Sequence, residues 1–145
     1  MTPEFATYPS LNGKTVFITG GAGGIGAETV RAFAAQGAKV GFLDLNADAG
    51  HELLAELEGE HAFAQCDLRD IDALRDALEQ LTEELGPAHV LVNNAAQDDR
   101  HDWREVTADY WDERMATNIR HMFFAIQAVA PAMIERGGGA IVNLG

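Results

Sequence analysis

Cysteine and lysine are scarce in this sequence, and each scarcity excludes a class of protein. Cys66 is the only cysteine, so no disulfide forms within the chain and a cytoplasmic location is expected. Lys14 and Lys39 are the only lysines, and the net charge is −13 at pH 7. Nucleic acids and anionic membranes are bound mainly through Lys and Arg, so the sequence predicts neither as a partner.

Long apolar runs are also absent. A transmembrane helix needs about 20 consecutive apolar residues, and no run in this chain approaches that length. Residues 1–9 lack the basic segment and the apolar core of a secretory signal. Hydrophobic residues still make up 47% of the 145 residues, as in ordinary globular proteins. We therefore expect a single globular domain over residues 1–145.

Apolar strands and amphipathic helices alternate along the chain. Strands are predicted at 14–20, 38–44, 61–66, 90–92 and 140–144. Helices are predicted at 24–36, from an Asn46 or Asp48 cap to about 59, at 70–85, and from 107 to 136. This alternation predicts an α/β fold with a doubly wound, Rossmann-like parallel sheet of strand order 3-2-1-4-5.

Apolar residues recur at helical spacing in the predicted helices, as in the first and the last of them. The first stripe consists of Ile25, Val30, Phe33 and Ala34. The stripe of the last helix consists of Met115, Ile119, Met122, Ile126, Val129 and Met133.

Small or polar residues follow the predicted strands. The five strand ends are Gly20, Asp44, Asp67, Asn93 and Gly145. In open parallel sheets, ligands bind beyond the carboxyl ends of the strands, where the strand order reverses. The sequence therefore predicts a ligand site along this edge, for a small-molecule partner.

A cluster of glycines at 20–26 joins the first strand to the first helix. Glycine lets the backbone turn sharply, and the first turn of a helix offers unpaired N–H groups to a phosphate. The spacing fits two registers, one with Gly21, Gly23 and Gly26 and the other with Gly20, Gly24 and Gly26. A plain glycine-rich loop is the alternative to a phosphate site.

Asp44 ends the second strand eighteen residues after Gly26. A dinucleotide-binding domain needs an acid at about this separation to bind the adenosine ribose hydroxyls. No Arg or Lys occurs at 20–30 or 40–50 to neutralise a 2′-phosphate, so NAD is favoured over NADP. The alternative is a strand-end aspartate that caps the next helix.

With these motifs in place, residues 11–145 resemble the short-chain dehydrogenase/reductase family. The stretch from Thr19 to Gly26 is similar to the family's T-G-x-x-x-G-I-G loop. Cys66-Asp67-Leu68 resembles its strand-end aspartate motif, and Asn93-Asn94-Ala95-Ala96 resembles its N-N-A-G motif with Ala96 in place of glycine. Asn118, in Thr117-Asn118-Ile119, matches its catalytic helix asparagine, and residues 140–143 resemble the strand that leads to its catalytic serine.

The resemblance implies an NAD-dependent oxidoreductase that oxidises an alcohol by hydride transfer. It implies that Asp67 contacts the adenine amino group, that Asn93 steadies the sheet, and that Asn118 holds a proton-relay water. The cofactor-binding residues expected in total are Gly20, Gly24, Ile25, Gly26, Asp44, Leu45, Asp67, Leu68, Asn94, Ala95 and Ala96.

Residues 93–121 are similar to the bacterial aldose dehydrogenases of this family. The polar side chains of residues 97–101 could bind sugar hydroxyls, since they lie just past the nicotinamide end of the expected cofactor site. A solvated loop is an equal alternative, and a metal site is a minor one, formed by Asp98, Asp99, His101 and Asp102.

The family's catalytic tyrosine, the lysine four residues after it, and its serine are not found at matching positions. Tyr8 and Tyr110 are followed four residues later by Asn12 and Arg114, and Ser10 is the only serine. The resemblance thus implies a cofactor-binding half, truncated after the fifth strand and inactive alone. It also implies a dimer or tetramer formed through the helix at 107–136.

Two other classes remain open from the sequence. A non-catalytic nucleotide-binding or interaction module would also have the glycine loop and Asp44. An acidic receiver-like signalling domain would explain the length and the charge, but not the glycine loop together with Asn118.

Overall fold

The computed structural model describes residues 6–145 and contains one sheet of five parallel strands. The strands are β1 (Thr15–Thr19), β2 (Lys39–Asp44), β3 (His61–Gln65), β4 (Val90–Asn93) and β5 (Ala140–Asn143). They lie in the order β3-β2-β1-β4-β5, which confirms the predicted doubly wound α/β fold. The expectation of no secretory signal at residues 1–9 rests partly on residues 1–5, which lie outside the described range.

The described residues form five α-helices, and four of them, all but the fourth, cover the two faces of the sheet. The five are α1 (Gly24–Ala35), α2 (Ala47–Glu56), α3 (Ile71–Leu85), α4 (Ala108–Met115) and α5 (His121–Arg136). Side chains of Asn46, Asp70 and Thr107 accept hydrogen bonds from first-turn N–H groups, which fixes where α2, α3 and α4 begin. Among the described residues, no helix has both the length and the apolar character needed to cross a bilayer.

The core consists of two apolar layers, one on each face of the sheet. In β1, Phe17 packs into one layer while Val16 and Ile18 pack into the other, and all three are fully buried. Side chains alternate between the faces of a strand, so a sheet covered on both sides needs continuous apolar strands. This explains why the strands read as unbroken apolar runs.

The predicted stripe of the last helix is wrong in its first half. A π-helical segment, Ala116–Arg120, separates α4 from α5. The buried positions are Ala116, His121, Ala125, Val129 and Met133, whereas Ile119 is 57% exposed. A π turn inserts one extra residue into the helix. The residues that face the core therefore no longer follow the single helical period that the sequence suggested.

Ile25 also departs from its predicted place in the apolar stripe of α1. Its side chain is 73% exposed, and the buried residues of α1 are Gly26, Ala27 and Val30. Gly26 and Ala27 in the same turn are buried, so only part of the first turn of α1 faces the core. Ile25 instead lines the cleft described below.

Apolar side chains remain exposed on one side of the molecule. All four residues of β5 are exposed, and β5 is the edge strand next to β4. On α5, Phe123 is 63% exposed and Ile134 is 76% exposed. These positions form a surface that the described residues do not cover.

Candidate nucleotide-binding site

A cleft runs along the carboxyl ends of the strands. It is lined by the turn between β1 and α1, the ends of β2, β3 and β4, and part of α4. The structure brings together there all eleven residues expected around a cofactor, namely Gly20, Gly24, Ile25, Gly26, Asp44, Leu45, Asp67, Leu68, Asn94, Ala95 and Ala96. Such an edge, at the point where strand order reverses from β2 to β4, is the usual ligand position in open parallel sheets.

The glycine loop (residues 20–26) shows which of the two sequence registers applies. Gly20 and Gly24 have φ angles of 64° and 51°, in the left-handed region that favours glycine. A Cβ on Gly26 would lie 1.8 Å from the carbonyl oxygen of Gly20. Gly23 has an extended φ of −148° and open space around it, so it does not require glycine. The backbone therefore fits the register of Gly20, Gly24 and Gly26.

The first turn of α1 faces this cleft. Gly23 is the N-cap and provides no capping side chain, so first-turn N–H groups lack a side-chain partner. Gly23, Gly24, Ile25 and Gly26 all line the cleft. The unpaired N–H groups and the positive end of the helix dipole suit a phosphate.

Asp44 joins the end of β2 to the glycine loop. Its Oδ2 accepts the N–H of Ala22 at 3.0 Å, and its Oδ1 accepts the N–H of Asn46 at 3.0 Å. The cap of α2 is the Asn46 side chain, which accepts from Ala49 at 3.1 Å. Asp44 therefore has more than the helix-capping role considered as the alternative, because it holds the glycine loop.

Asp67 lies at the end of β3 and forms a two-pronged ion pair with Arg69. The Arg69 Nε and Nη2 groups donate to the Asp67 carboxylate at 2.9 and 2.6 Å. This bonding keeps the pKa of Asp67 below its usual value. The sequence reading missed Arg69, although its position two residues after Asp67 in a turn was the available signal. Arg69 is the only Lys or Arg on the described lining of the cleft.

Thr19 and Asn94 lock the end of β4 against the end of β1. The buried Thr19 hydroxyl accepts the N–H groups of Asn94 and Ala95 at 3.1 and 3.2 Å. The Asn94 side-chain amide donates to the carbonyls of Thr19 and Gly20 at 3.1 and 3.0 Å. The Asn93 amide donates to Asn143 Oδ1 at 2.8 Å, so Asn93 joins β4 to β5 as expected.

Asn118 lies in the π segment (Ala116–Arg120) and binds the backbone of Gln97. Its Oδ1 accepts the Gln97 N–H at 2.7 Å, and its Nδ2 donates to the Gln97 carbonyl at 3.0 Å. Gln97 lines the cleft, whereas Asn118 stands behind it. The water-holding role that the resemblance implied for Asn118 stays a prediction.

The loop after β4 is held in place by α4. The carboxylate of Asp99 accepts from Gln97 Nε2 at 2.7 Å and from Arg114 Nη2 at 3.1 Å. His101 Nδ1 lies 2.8 Å from the Tyr110 hydroxyl. Asp99 and His101 are thus engaged within the protein, whereas Gln97 and Asp98 line the cleft.

Metal binding at this loop was the minor alternative. Over residues 6–145, no group of three or more His, Cys, Asp or Glu side chains is arranged to hold a metal ion.

The family model and the relatives that match this chain point to the same family. The family model described as short chain dehydrogenase matches residues 14–145. D-xylose 1-dehydrogenase of Caulobacter vibrioides is 50% identical over 143 residues, which cover 97% of this chain and 56% of that protein. The probable galactose dehydrogenase of Rhizobium meliloti is 45% identical over 147 residues, covering 99% and 57%.

A solved structure agrees with the sequence matches. A mutant short-chain dehydrogenase/reductase of Serratia marcescens superposes with a TM-score of 0.84 at 32% identity, covering 95% of this chain and 57% of that one. The chain therefore spans about half the length of the curated relatives it matches. Its fold, the cleft at its strand ends and the match over residues 14–145 show that the chain belongs to the short-chain dehydrogenase family.

Proposed function

We propose that this chain is the NAD-binding part of a dehydrogenase that oxidises a sugar or a related alcohol. The observation that carries the proposal is the position of Asp44, whose carboxylate lies on the cleft and holds the glycine loop through Ala22. A ribose bound beside the Asp44 carboxylate would have an acceptor for its hydroxyls, while its phosphates would lie at the first turn of α1.

The residues around the cleft fit a dinucleotide. A Cβ on Gly26 would lie 1.8 Å from the Gly20 carbonyl oxygen, so glycine at this position lets the first turn of α1 pack closely against the end of β1. Ile25 and Leu45 are 73% and 60% exposed and lie on the cleft, where flat apolar rings would cover them. In this proposal Asp67 and Leu68 meet the adenine, and Asn94, Ala95 and Ala96 lie beside the nicotinamide half.

NAD is the proposed cofactor rather than NADP. A 2′-phosphate on the ribose would meet the Asp44 carboxylate, which carries charge of the same sign. Arg69 is the only Lys or Arg on the described lining of the cleft, and its guanidinium is engaged by Asp67 and Glu113. NAD supplies the hydride acceptor when bound, and the protein orients the two reactants.

The substrate proposal comes from the relatives and from the loop after β4. Relatives at 50% and 45% identity are named as dehydrogenases of D-xylose and galactose. Gln97 and Asp98 line the cleft and present an amide and a carboxylate that can bind sugar hydroxyls. We propose that these two residues, rather than Asp99 and His101, contact the substrate.

We propose that the 145-residue chain binds cofactor without turning over substrate. Oxidation of an alcohol needs a group that accepts its proton. Tyr110 does not line the cleft, and it is followed four residues later by Arg114 rather than by a lysine. The rate of NADH formation from D-xylose or D-galactose should stay at the buffer rate. A single domain over residues 1–145 and a cytoplasmic location stay predictions.

Titration with NADH and NADPH, followed by cofactor fluorescence, tests the cofactor assignment. We expect NADH to bind at least about tenfold more tightly, and Asp44→Asn to reduce that preference, because one repulsive charge opposite a phosphate is worth about 1 kcal/mol or more. Asp48→Asn is the matched control, since Asp48 is exposed and does not line the cleft. Equal or tighter binding of NADPH by the unchanged chain would contradict the proposal.

A further inference from the structure

Arg69 contacts three separate elements from the turn between β3 and α3. Its guanidinium binds Asp67 at the end of β3 and Glu113 on α4. Its carbonyl oxygen accepts a hydrogen bond from Arg120 Nη2 at 2.6 Å. Asp67, Arg69 and Glu113 all line the cleft, so these contacts lie on its wall at the Asp67 end.

The contact with Asp67 fixes the direction of that carboxylate. Oδ1 accepts both the backbone N–H and the Nε–H of Arg69, at 3.0 and 2.9 Å. Oδ2 accepts Nη2 at 2.6 Å and only a long contact of 3.2 Å from Nε. A carboxylate offers about four acceptor positions, so Oδ2 retains capacity for one further donor such as an amine. The planar guanidinium thus orients Asp67 without saturating it.

The contacts with Glu113 and Arg120 enclose the π segment. Arg69 Nη1 lies 3.3 Å from Glu113 Oε1, before the segment, and Arg120 is the last residue of the segment. Asn118 lies between them and is bonded to the backbone of Gln97 on the other side. Glu113 and Arg120 therefore connect the π segment to the Asp67 end of the cleft, and Asn118 connects it to the Gln97 end.

The exposure of these ion pairs indicates that they orient the side chains rather than stabilise the fold. Asp67, Arg69 and Glu113 side chains are 36%, 45% and 46% exposed, and ion pairs of that exposure contribute little to folding. Two-pronged geometry instead restricts where the carboxylate and the helix can lie.

We propose that Arg69 is a positioning residue that presents Asp67 to the adenine amino group and connects the adenine end of the cleft to the segment that bears Asn118. The inference rests on the proposed function, because it takes the adenine of a dinucleotide as the ligand beside Asp67. Binding of the adenine half then reduces the mobility of Ala116–Arg120, before any substrate is present.

The test uses AMP as the probe and the 145-residue chain as the protein. Calorimetry gives the AMP affinity, and hydrogen exchange gives the protection of the backbone amides in residues 116–120. The variants are Arg69→Ala and a double variant, Glu113→Ala with Arg120→Ala, which leaves the Arg69–Asp67 pair intact. Arg31→Ala is the matched control, because Arg31 also pairs with two carboxylates, Glu28 and Glu56, outside the cleft.

AMP should slow exchange at residues 116–120 in the unchanged chain and in Arg31→Ala by about fivefold or more. Arg69→Ala should bind AMP about tenfold more weakly and lose this protection. The double variant should keep the affinity and lose the protection, which separates a connecting role from general destabilisation.

Two results would overturn the inference alone. One is an Arg69→Ala variant that keeps both affinity and protection, and the other is a double variant that keeps the protection. Failure of the unchanged chain to bind either AMP or NADH would overturn the proposed function as well.

Discussion

Among the described glycines, Gly26 has the least room for a side chain. It lies in the first turn of α1, where a Cβ would meet the Gly20 carbonyl oxygen at 1.8 Å and Asn94 Nδ2 at 2.7 Å. Both neighbours belong to the contacts that hold β1 against β4, so neither moves without breaking the end of the sheet. Gly23, three residues earlier, has open space at the same position.

Gly26→Ala should therefore destabilise the fold and impair cofactor binding, whereas Gly23→Ala should do neither. Overpacking of this kind costs about 1–3 kcal/mol, and a shift of the loop would also displace the first turn of α1. Urea unfolding and NADH titration of both variants check this. A Gly26→Ala variant equal to Gly23→Ala in both measurements would contradict it.

Cys66 is buried in the core, 3% exposed, next to Asp67. Burial, followed by the nearby charges of Asp67 and Asp70, raises the pKa of its thiol from 9.0 to about 11. An unfolded chain releases the thiol proton near pH 9, while the folded chain holds it until about pH 11. This contribution to stability is thus complete below pH 9 and is lost as the pH rises to 11.

The free energy of unfolding should fall between pH 9 and pH 11 by at most about 1.4 kcal/mol per pH unit from this one thiol. Cys66→Ala removes the titrating group and should show a shallower fall over the same range. Urea unfolding at several pH values compares the two slopes. Identical slopes would mean that the thiol of Cys66 titrates normally.

At the scale of elements, the π segment decides how α4 and α5 meet the rest of the molecule. It places Asn118 against the backbone of Gln97 and leaves Ile119 exposed. Asn118 thereby fixes the start of the loop that follows β4. Arg114 fixes a second point of the loop, through its 3.1 Å contact with Asp99.

Asn118→Ala should loosen this loop, because it removes two hydrogen bonds that together contribute about 1–3 kcal/mol. Arg100 lies in the loop and is exposed, so trypsin cleavage after Arg100 reports loosening. Ile119→Ala is the control, because Ile119 is the next residue and its side chain is 57% exposed. Equal cleavage rates for the two variants would show that Asn118 does not hold the loop.

At the scale of the whole molecule, the exposed apolar side chains of α5 predict association. Phe123 and Ile134 are eleven residues apart, close to three helical turns, so they lie on one face of α5. β5 adds an open sheet edge, which favours pairing with another chain. The dimer or tetramer through the helix at 107–136, which the family resemblance implied, stays a prediction, and this surface supports it.

We expect sedimentation velocity to show oligomers at tens of micromolar, and Phe123→Glu with Ile134→Glu to shift the distribution to monomer. Leu45→Glu is the control, because Leu45 is 60% exposed but lies on the cleft. A monomeric chain at high concentration would refute the assembly, and an unchanged distribution in the double variant would refute the role of α5.

The comparisons bear on the two classes left open by the sequence and on the aldose resemblance. The receiver-like alternative is wrong, because the short-chain dehydrogenase model matches residues 14–145. The non-catalytic module stays a prediction that the binding and turnover measurements separate. The aldose resemblance agrees with the relatives named for D-xylose and galactose.

The sequence by itself determined the element order, the sheet topology, the glycine loop and the distance from Gly26 to Asp44. These features depend on periodicity, turn residues and spacing along the chain. Such patterns involve residues that are close in sequence, so they can be recognised without the structure. The roles of Asp67, Asn94 and Asn118 were inferred from the resemblance of their motifs to those of the family.

Only the tertiary structure decided the register of the glycines, the π segment and the contacts of Arg69. Arg69 meets Glu113 across 44 positions, and Thr19 meets Asn94 across 75. Such pairs depend on how the elements pack. The extra residue of the π turn could not be recognised from the pattern of apolar residues. The π segment left Ile119 outside the core, and Ile25 lines the cleft at the start of α1.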